Sequence, residues 1–345
     1  MRVTLLFLIS LVFGGGLGIL ADRTPQTRAW LDTVYQPGNI PTVSPYAPLP
    51  DLDQLYYEAQ VPTGIYDPQA LESYGISNCF YGLSDEVSLD RPWLERETSL
   101  RRLTDIERPE TFPDLAAHPG LIKMEIIRSK LGSDREHCSA VRVDEHWFLT
   151  AAHCFEREDP DRALPVFDVI AVTPSVDVRA EGTAAVPLKG ALCHAEHGVS
   201  RYRYSTDIAL FYVEDVSAFE AVKIAQLEHG GLQLNREAFG TSYISGWGHN
   251  GGSRYLQGGP VKVSIFGESV LVSERIGERG PNVGDSGAPL YIDYGDGPLV
   301  VGVLSQVTQD AEALGETGIY VRAKSVRDWV ERVKHLCETD EGYVC

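Results

Sequence analysis

The chain has 345 residues and a formal net charge of −19, with 43% hydrophobic and 23% charged residues. This composition is ordinary for a globular protein, and the length allows one large domain with an extension or two domains. A surface this acidic repels phosphate backbones, so a nucleic-acid partner is excluded from the expected functions. A cationic partner would suit the acidity, but solubility is the simpler explanation.

The N-terminus carries one basic residue, Arg2, followed by an uncharged and mostly apolar run that ends at Ala21. A basic start, an apolar stretch and a small residue before a polar segment are typical of an export signal, here cleaved after Ala21. Residues 3–21 are also close to the length that spans a bilayer, so an uncleaved membrane anchor stays open as the second interpretation. Either one predicts that the bulk of the protein lies outside the cytoplasm.

Residues 22–115 form a proline-rich segment that contains 11 of the 20 prolines. Frequent prolines interrupt helices and sheet ladders, so the segment is predicted to be mostly irregular or extended. Its aromatic residues, including Phe80 and Trp93, offer contacts to the main domain, and a disulfide from Cys79 would pin the segment there.

Residues 116–337 contain short β-like runs separated by turns. β-branched and aromatic residues dominate the runs, while Gly, Pro, Asp and Asn separate them. Examples of such runs are LIKMEIIRS, VIAVTP, DIALFYV, APLYID and LVVGVLSQV. Many short strands at this spacing predict an all-β domain built from antiparallel sandwiches or barrels.

The last element differs from the runs before it. In SVRDWVERVKHLC, four apolar residues recur at helical spacing, namely Val326, Trp329, Val330 and Val333. Ser325, with Asp328 three residues later, resembles a capping box at the start of a helix. We therefore predict a C-terminal α-helix that docks one apolar face on the β-rich domain, followed by a tail over residues 338–345.

The chain has six cysteines, an even number that suggests disulfides behind an export signal. They are Cys79, Cys138, Cys154, Cys193, Cys337 and Cys345. No CxxC pair is present, which argues against a zinc cluster. Cys193, His194 and His197 cluster locally, and a disulfide beside surface histidines is preferred there over a metal site, so no metal is expected.

Three further segments matter together. They contain His153 in WFLTAAHCF, Asp207 in STDIALFYV and Ser286 in GDSGAPL. Each has an ordinary explanation alone: a polar residue after a strand, a strand-start aspartate bonded to nearby amides, and a turn before a strand. Jointly they supply a base, an orienting acid and a nucleophile, the minimum set for acyl transfer through serine.

The segments LTAAHC, DIAL and GDSGAP, in this order, resemble the trypsin/chymotrypsin family of serine endopeptidases. SGWG, VVGVLS, GIYVR and the DWV of the terminal helix support the resemblance, which covers about residues 116–337. It implies two six-stranded antiparallel β-barrels with the catalytic residues in the cleft between them. It also implies that His153 is the general base, that Asp207 orients it, and that Ser286 is the nucleophile.

The resemblance assigns further positions. The backbone N–H groups of Gly284 and Ser286 would form the oxyanion hole, and Ser305 would lie on the strand that pairs with the substrate backbone. Cys138 and Cys154 match the family's disulfide around the histidine loop. Three pairings of the other four cysteines are then open, and proximity favours Cys337 with Cys345 and Cys79 with Cys193. The chemistry needs no cofactor.

The chain departs from the family pattern at its activation site and near Ser286. The usual activated N-terminal sequence is absent, although cleavage after Arg102 is one candidate, and Asp285 is the residue that would pair with a new ammonium group. Asn282 stands where the family has a cysteine near the nucleophile. The segment before the protease domain is therefore interpreted as a pro-region, an interaction arm or a permanent strap.

The expected specificity pocket lacks an acid. Gly280 stands at the position where trypsin-like members that bind Lys or Arg carry an aspartate. Val307 replaces a frequent glycine of the pocket wall and would narrow the pocket. We therefore expect small or medium apolar P1 residues rather than basic ones.

The sequence thus predicts a monomeric serine endopeptidase, secreted or membrane-tethered and made as a zymogen, that acts on proteins or peptides. The predicted parts are residues 1–21 as signal or anchor, 22–115 as pro-region, 116–337 as protease domain and 338–345 as tail. The alternative is a catalytically inactive binding protein on the same fold.

Overall fold

A computed structural model describes most of the predicted protease domain and one short stretch before it. The described residues are 75–81, 113–128, 135–155, 166, 168–197, 204–229, 242–248, 254–266, 268–276, 280–293, 297–309 and 316–339. The predicted signal or anchor, most of the proline-rich segment and residues 340–345 lie outside these ranges. No helix among the described residues is long and apolar enough to cross a membrane.

Within these ranges the chain forms fifteen β-strands, one long α-helix and three short 3₁₀ turns. The strands are β1 (Ile76–Tyr81), β2 (Leu121–Ile127), β3 (Arg135–Arg142), β4 (Trp147–Thr150), β5 (Asp168–Val172), β6 (Ala185–Pro187), β7 (Gly190–His194), β8 (Ala209–Tyr212), β9 (Gln226–Leu227), β10 (Ser242–Gly246), β11 (Gln257–Phe266), β12 (Val270–Arg275), β13 (Pro289–Asp293), β14 (Pro298–Gln309) and β15 (Glu316–Arg322). The helix α1 is Ala323–Thr339, and the 3₁₀ turns are Leu115–Ala117, Ala152–Phe155 and Ser217–Phe219.

The strands form two sheets. The first has the order β1-β7-β8-β4-β3-β2-β5-β6, with antiparallel neighbours throughout. The second runs β13-β10-β11-β12-β15-β14, and pairing of β13 with β14 closes these six strands into a barrel, to which β9 adds in parallel. The predicted all-β architecture with a C-terminal helix is confirmed. Of the two six-stranded barrels that were predicted, the second sheet contains one, whereas the first sheet has eight strands and no closing pair among the described residues.

Strand β2 shows how the two sheets share a core. All seven of its residues are buried, because its two faces pack on different partners. Ile122, Met124 and Ile126 point into the core of the first sheet. Leu121 and Ile127 belong to a cluster that includes Trp247, which follows β10 of the second sheet. Apolar contacts thus join the two sheets directly.

Helix α1 docks as predicted but begins earlier. Val326, Trp329, Val330 and Val333 are each at most 1% exposed and pack in one apolar cluster. The capping-box prediction is wrong, because the helix already begins at Ala323. The Ser325 hydroxyl instead donates to the Arg322 carbonyl (2.7 Å), within the first turn.

Strand β1 lies in the proline-rich segment and was not predicted from the sequence. It pairs antiparallel with β7, so it extends the first sheet by one strand. A disulfide joins Cys79 to Cys193 on β7, and a second joins Cys138 to Cys154. Cys337 is also disulfide-bonded, and its expected partner Cys345 lies outside the described residues.

Candidate active site

His153 and Asp207 are brought together by the pairing of β4 with β8. In that pair Thr150 lies opposite Ala209, so the residues just after β4 and just before β8 are neighbours. The backbone N–H of His153 donates to Asp207 Oδ1 (2.8 Å), and His153 Nδ1 lies 2.7 Å from Asp207 Oδ2. These two hydrogen bonds to the Asp207 carboxylate fix both the backbone of the turn at His153 and the orientation of its imidazole ring.

Asp207 is held on its other side as well. The Ser305 hydroxyl donates to Asp207 Oδ2 (2.6 Å), and His197 Nδ1 lies 3.6 Å from Asp207 Oδ1. The residue is 3% exposed. Burial alone would raise the pKa of this carboxyl, but the charges of His153 and His197 and the hydrogen bonds from His153 and Ser305 lower the pKa to about 2. Asp207 is therefore ionised at neutral pH and acts only as an acceptor.

Ser286 lies on a tight turn whose shape depends on the next residue. Gly287 has φ +82°, and a Cβ there would lie 2.1 Å from the Ser139 carbonyl oxygen and 2.2 Å from Thr150 Oγ1. The Ser286 carbonyl accepts from the Ser139 N–H (2.7 Å), and the Gly287 N–H donates to the Leu304 carbonyl (2.7 Å). Only glycine fits this backbone conformation and this close approach.

The turn therefore packs against the two segments that precede His153 and Ser305. On one side it touches β3 and the end of β4, where a Cβ on Gly287 would lie 3.1 Å from the backbone nitrogen of Ala151, two residues before His153. On the other side it bonds to Leu304, the neighbour of Ser305. Within the described part of the chain, Ser286 Oγ and the N–H groups of Gly284 and Ser286 have no hydrogen-bond partner.

Asp285, the residue before Ser286, is buried and is 6% exposed. Its carboxylate accepts from the N–H groups of Gly248 (2.7 Å) and Asn282 (3.0 Å), and its own N–H donates to the Asn282 carbonyl (3.0 Å). Gly284, between them in sequence, has φ +94°. Asn282, which stands where a cysteine was expected, thus closes the turn through its backbone.

Comparisons with known proteins identify the family. The family model described as Trypsin matches residues 121–330. The chain belongs to the trypsin family. Among its relatives, the collagenase of Hypoderma lineatum is 25% identical over 215 residues, which are 57% of this chain and 76% of the collagenase.

Two further similarities extend the comparison. Coagulation factor IX of Oryctolagus cuniculus is 23% identical over 233 residues, covering 62% of this chain and 80% of factor IX. Among solved structures, the scabies mite inactivated protease paralogue S-I1 is 16% identical with a TM-score of 0.49, covering 65% of this chain and 98% of that chain.

The residues expected to form the trypsin-family specificity pocket lie on or next to strands of the second sheet. Gly280 is so close to Arg275 that a Cβ would lie 2.9 Å from the Arg275 Cβ. Val307 packs, partly buried, against the core of the barrel. Ser305 lies at an irregularity in the pairing of β14 with β15, between Leu304 and Gln306.

The described residues offer no intact metal site. The one group with suitable spacing is Cys138, His153 and Cys154, and its two cysteines are bonded to each other. Cys193 is also in a disulfide. His194 is not a surface residue as expected: it is 2% exposed, and burial, with the nearby charges of Arg332 and His197, lowers its pKa to about 4.

Sequence reasoning missed three features of the site. Ser305 was assigned to the substrate strand but also donates to Asp207. His197 was weighed as a metal ligand but lies beside Asp207. Strand β1 was hidden in a proline-rich segment. Cys79 and Phe80 indicate that this part of the segment contacts the main domain but do not indicate a strand, and the sequence carries no signal of the contact between His197 and Asp207.

Proposed function

We propose that this chain is a serine endopeptidase that hydrolyses peptide bonds through an acyl-enzyme, with Ser286 as nucleophile, His153 as general base and Asp207 as the orienting acid. The observation that carries the proposal is the pair of hydrogen bonds that joins Asp207 to the backbone N–H and to Nδ1 of His153. A buried, ionised carboxylate that accepts from Nδ1 keeps the proton on that nitrogen, so Nε2 is left as the basic atom.

In the proposed first step, Ser286 Oγ attacks the substrate carbonyl carbon while His153 Nε2 takes the hydroxyl proton. The carbonyl oxygen becomes an oxyanion, and the N–H groups of Gly284 and Ser286 donate to it. These two donors have no partner among the described residues, which supports this role. The negative charge of the Asp207 carboxylate stabilises the imidazolium that forms on His153.

The intermediate then collapses. The C–N bond breaks, the leaving amine takes the proton from His153 Nε2, and an ester to Ser286 Oγ remains. In the second half of the reaction a water molecule attacks the ester carbonyl and gives one proton to His153. The imidazolium returns that proton to Ser286 Oγ as the C–O bond breaks, which releases the acid product and restores the enzyme.

Substrates with small or medium apolar P1 residues fit the proposed pocket. No carboxylate stands at position 280, and the atoms nearest to a Cβ there are the aliphatic carbons of Arg275, so this position offers no acid to pair with a basic P1 residue. Val307 replaces the smaller residue that the family frequently has at this position, and in this proposal it narrows the pocket.

Trypsin-family membership and the disulfides suggest an extracellular protein. We propose that residues 1–21 direct export, as signal or anchor, and that a cleavage in the segment before residue 113 activates a zymogen. Asp285 would receive the new ammonium group, since it is a buried carboxylate in the turn of Ser286. Cleavage after Arg102 is the proposed site.

The test is a peptide-library digest with the secreted protein, purified and N-terminally sequenced, before and after treatment with trypsin. The matched control is Ser286→Ala, prepared in the same way. We expect cleavage by the wild type, enriched for Ala, Val or Leu at P1, and none by the variant. Cleavage after Lys and Arg would overturn the specificity proposal. No cleavage by any processed form would favour the inactive binding protein.

A further inference from the structure

Strand β1 is tied to the rest of the protease domain just before its N-terminal end and at Cys79. The Gly75 carbonyl accepts from the Trp329 indole N–H (2.9 Å) and from the Ala195 N–H (2.9 Å). Cys79, at a break in the register with β7, is bonded to Cys193. This segment is therefore an integral part of the folded protease domain.

One side chain of β1 reaches the turn that carries His153. Phe80 stacks on Phe155, with ring centroids 5.6 Å apart and ring planes at 23°. Both rings are 1% exposed, and both belong to the core of the first sheet. Phe155 is the last residue of the 3₁₀ turn Ala152–Phe155, two residues after His153.

The turn is held at three successive residues. His153 is hydrogen-bonded to Asp207, Cys154 forms a disulfide with Cys138, and the ring of Phe155 contacts the rings of Phe80 and Phe211. A turn of four residues has few internal bonds, so its orientation depends on such outside contacts. Among these, the contact with Phe80 is the one that the N-terminal segment supplies.

We propose that β1 is a positioning element for His153, acting through the stack of Phe80 on Phe155. It rests on the proposed function, because a positioned base matters only to an enzyme that uses it. Phe80 does not touch the reacting atoms. It fixes the tilt of the 3₁₀ turn, and hence the place of the His153 ring relative to Ser286. The N-terminal segment thus contributes to catalysis even if the chain is cleaved after β1.

The strand offers a matched control. Ile76 is 0% exposed but belongs to the cluster of Trp329 and Val330 on α1 and not to the cluster that contains Phe155. Phe80→Ala and Ile76→Ala both remove a fully buried side chain from β1, so both lower stability. Only the first removes a contact of the histidine turn, and Phe80→Leu restores part of that contact.

The experiment compares the three variants with the processed wild type at a temperature where circular dichroism shows all four folded. The first readout is hydrogen–deuterium exchange of the peptide containing residues 151–155, and the second is kcat and KM on a peptide substrate. We expect Phe80→Ala to speed the exchange and to lower kcat about 10- to 100-fold at similar KM, since small misplacements of catalytic groups cost this much. Phe80→Leu should recover most of kcat, and Ile76→Ala should match the wild type in both readouts.

Equal exchange of residues 151–155 in Phe80→Ala and the wild type would overturn the proposal, as would equal effects of Phe80→Ala and Ile76→Ala on kcat. If the processed wild type hydrolyses no peptide, the proposed function fails. The exchange comparison still decides whether β1 holds the histidine turn.

Discussion

Asp207 connects the two halves of the candidate site. It accepts hydrogen bonds from the turn of His153, which follows β4 of the first sheet, and from Ser305 on β14 of the second sheet. A buried carboxylate with this many donors remains charged, because the donors replace the water lost on burial. The charge then contributes to stability as well as to the proposed chemistry.

The lowered pKa of Asp207 predicts a specific acid dependence of stability. Because the folded pKa of about 2 lies below the ordinary value of 3.8, the contribution is present above about pH 4 and is lost as the pH falls towards 2. We expect the free energy of unfolding of the wild type to fall by about 2 kcal/mol more than that of Asp207→Asn between pH 5 and pH 2. Urea titrations at several pH values measure this, and parallel pH curves for the two proteins would contradict it.

At the scale of elements, much of the fold followed from pattern. The apolar runs that became β2, β5, β8, β13 and β14 were visible in the sequence, and so was the buried face of α1. Strand β3 was not, because it begins with Arg135, Glu136 and His137. These polar residues are tolerated since Arg135 pairs with the buried Glu125 on β2 (2.6 Å), a contact between strands that no local pattern reveals.

The candidate site, like the fold, was predictable where local sequence marks it and was not predictable where it depends on contacts between separate strands. His153, Asp207 and Ser286 lie in short segments whose composition marks them, and the family resemblance gives them roles. Ser305 and His197 approach Asp207 only through the folding of separate strands. Phe80 was seen as an aromatic that would contact the main domain, but its partner Phe155 depends on the pairing of β1 with β7.

The close packing of the turn at Ser286 can be tested by substitution, because the chain contains a matched pair of glycines. Gly287 and Gly182 both have positive φ, +82° and +89°, but only at Gly287 would a Cβ meet neighbouring atoms. We expect Gly182→Ala to cost about 1 kcal/mol from backbone strain alone. Gly287→Ala should cost at least about 2 kcal/mol more, from the overlap with Ser139 and Thr150, and should abolish peptide hydrolysis. Urea unfolding and the peptide assay measure both, and equal effects of the two substitutions would contradict this structure of the turn.

For the whole molecule, the bond between Cys79 and Cys193 spans 114 residues and encloses the proposed activation region. A cut after β1 and before residue 113 would therefore leave two chains joined by this disulfide. The segment before the protease domain would then remain as a permanent strap, one of the interpretations that the sequence left open.

This predicts a simple gel result. Limited digestion with trypsin should give a product that migrates as one band without reductant and as two bands with it. In the double variant Cys79→Ser, Cys193→Ser, the same digestion should release the N-terminal fragment under denaturing conditions without reductant. Release of the fragment from the wild type without reductant would show that the strap is not covalently attached.

The central claim is that His153, Asp207 and Ser286 act as one unit, and active-site labelling tests it most directly. The processed protein is incubated with a fluorophosphonate probe, and the labelled peptide is identified by mass spectrometry. The account predicts labelling at Ser286 in the wild type, none in Ser286→Ala, and a rate at least about 10³-fold slower in His153→Ala and Asp207→Asn. Absence of labelling in every processed form, or labelling at Ser286 that is equally fast in His153→Ala, would contradict it.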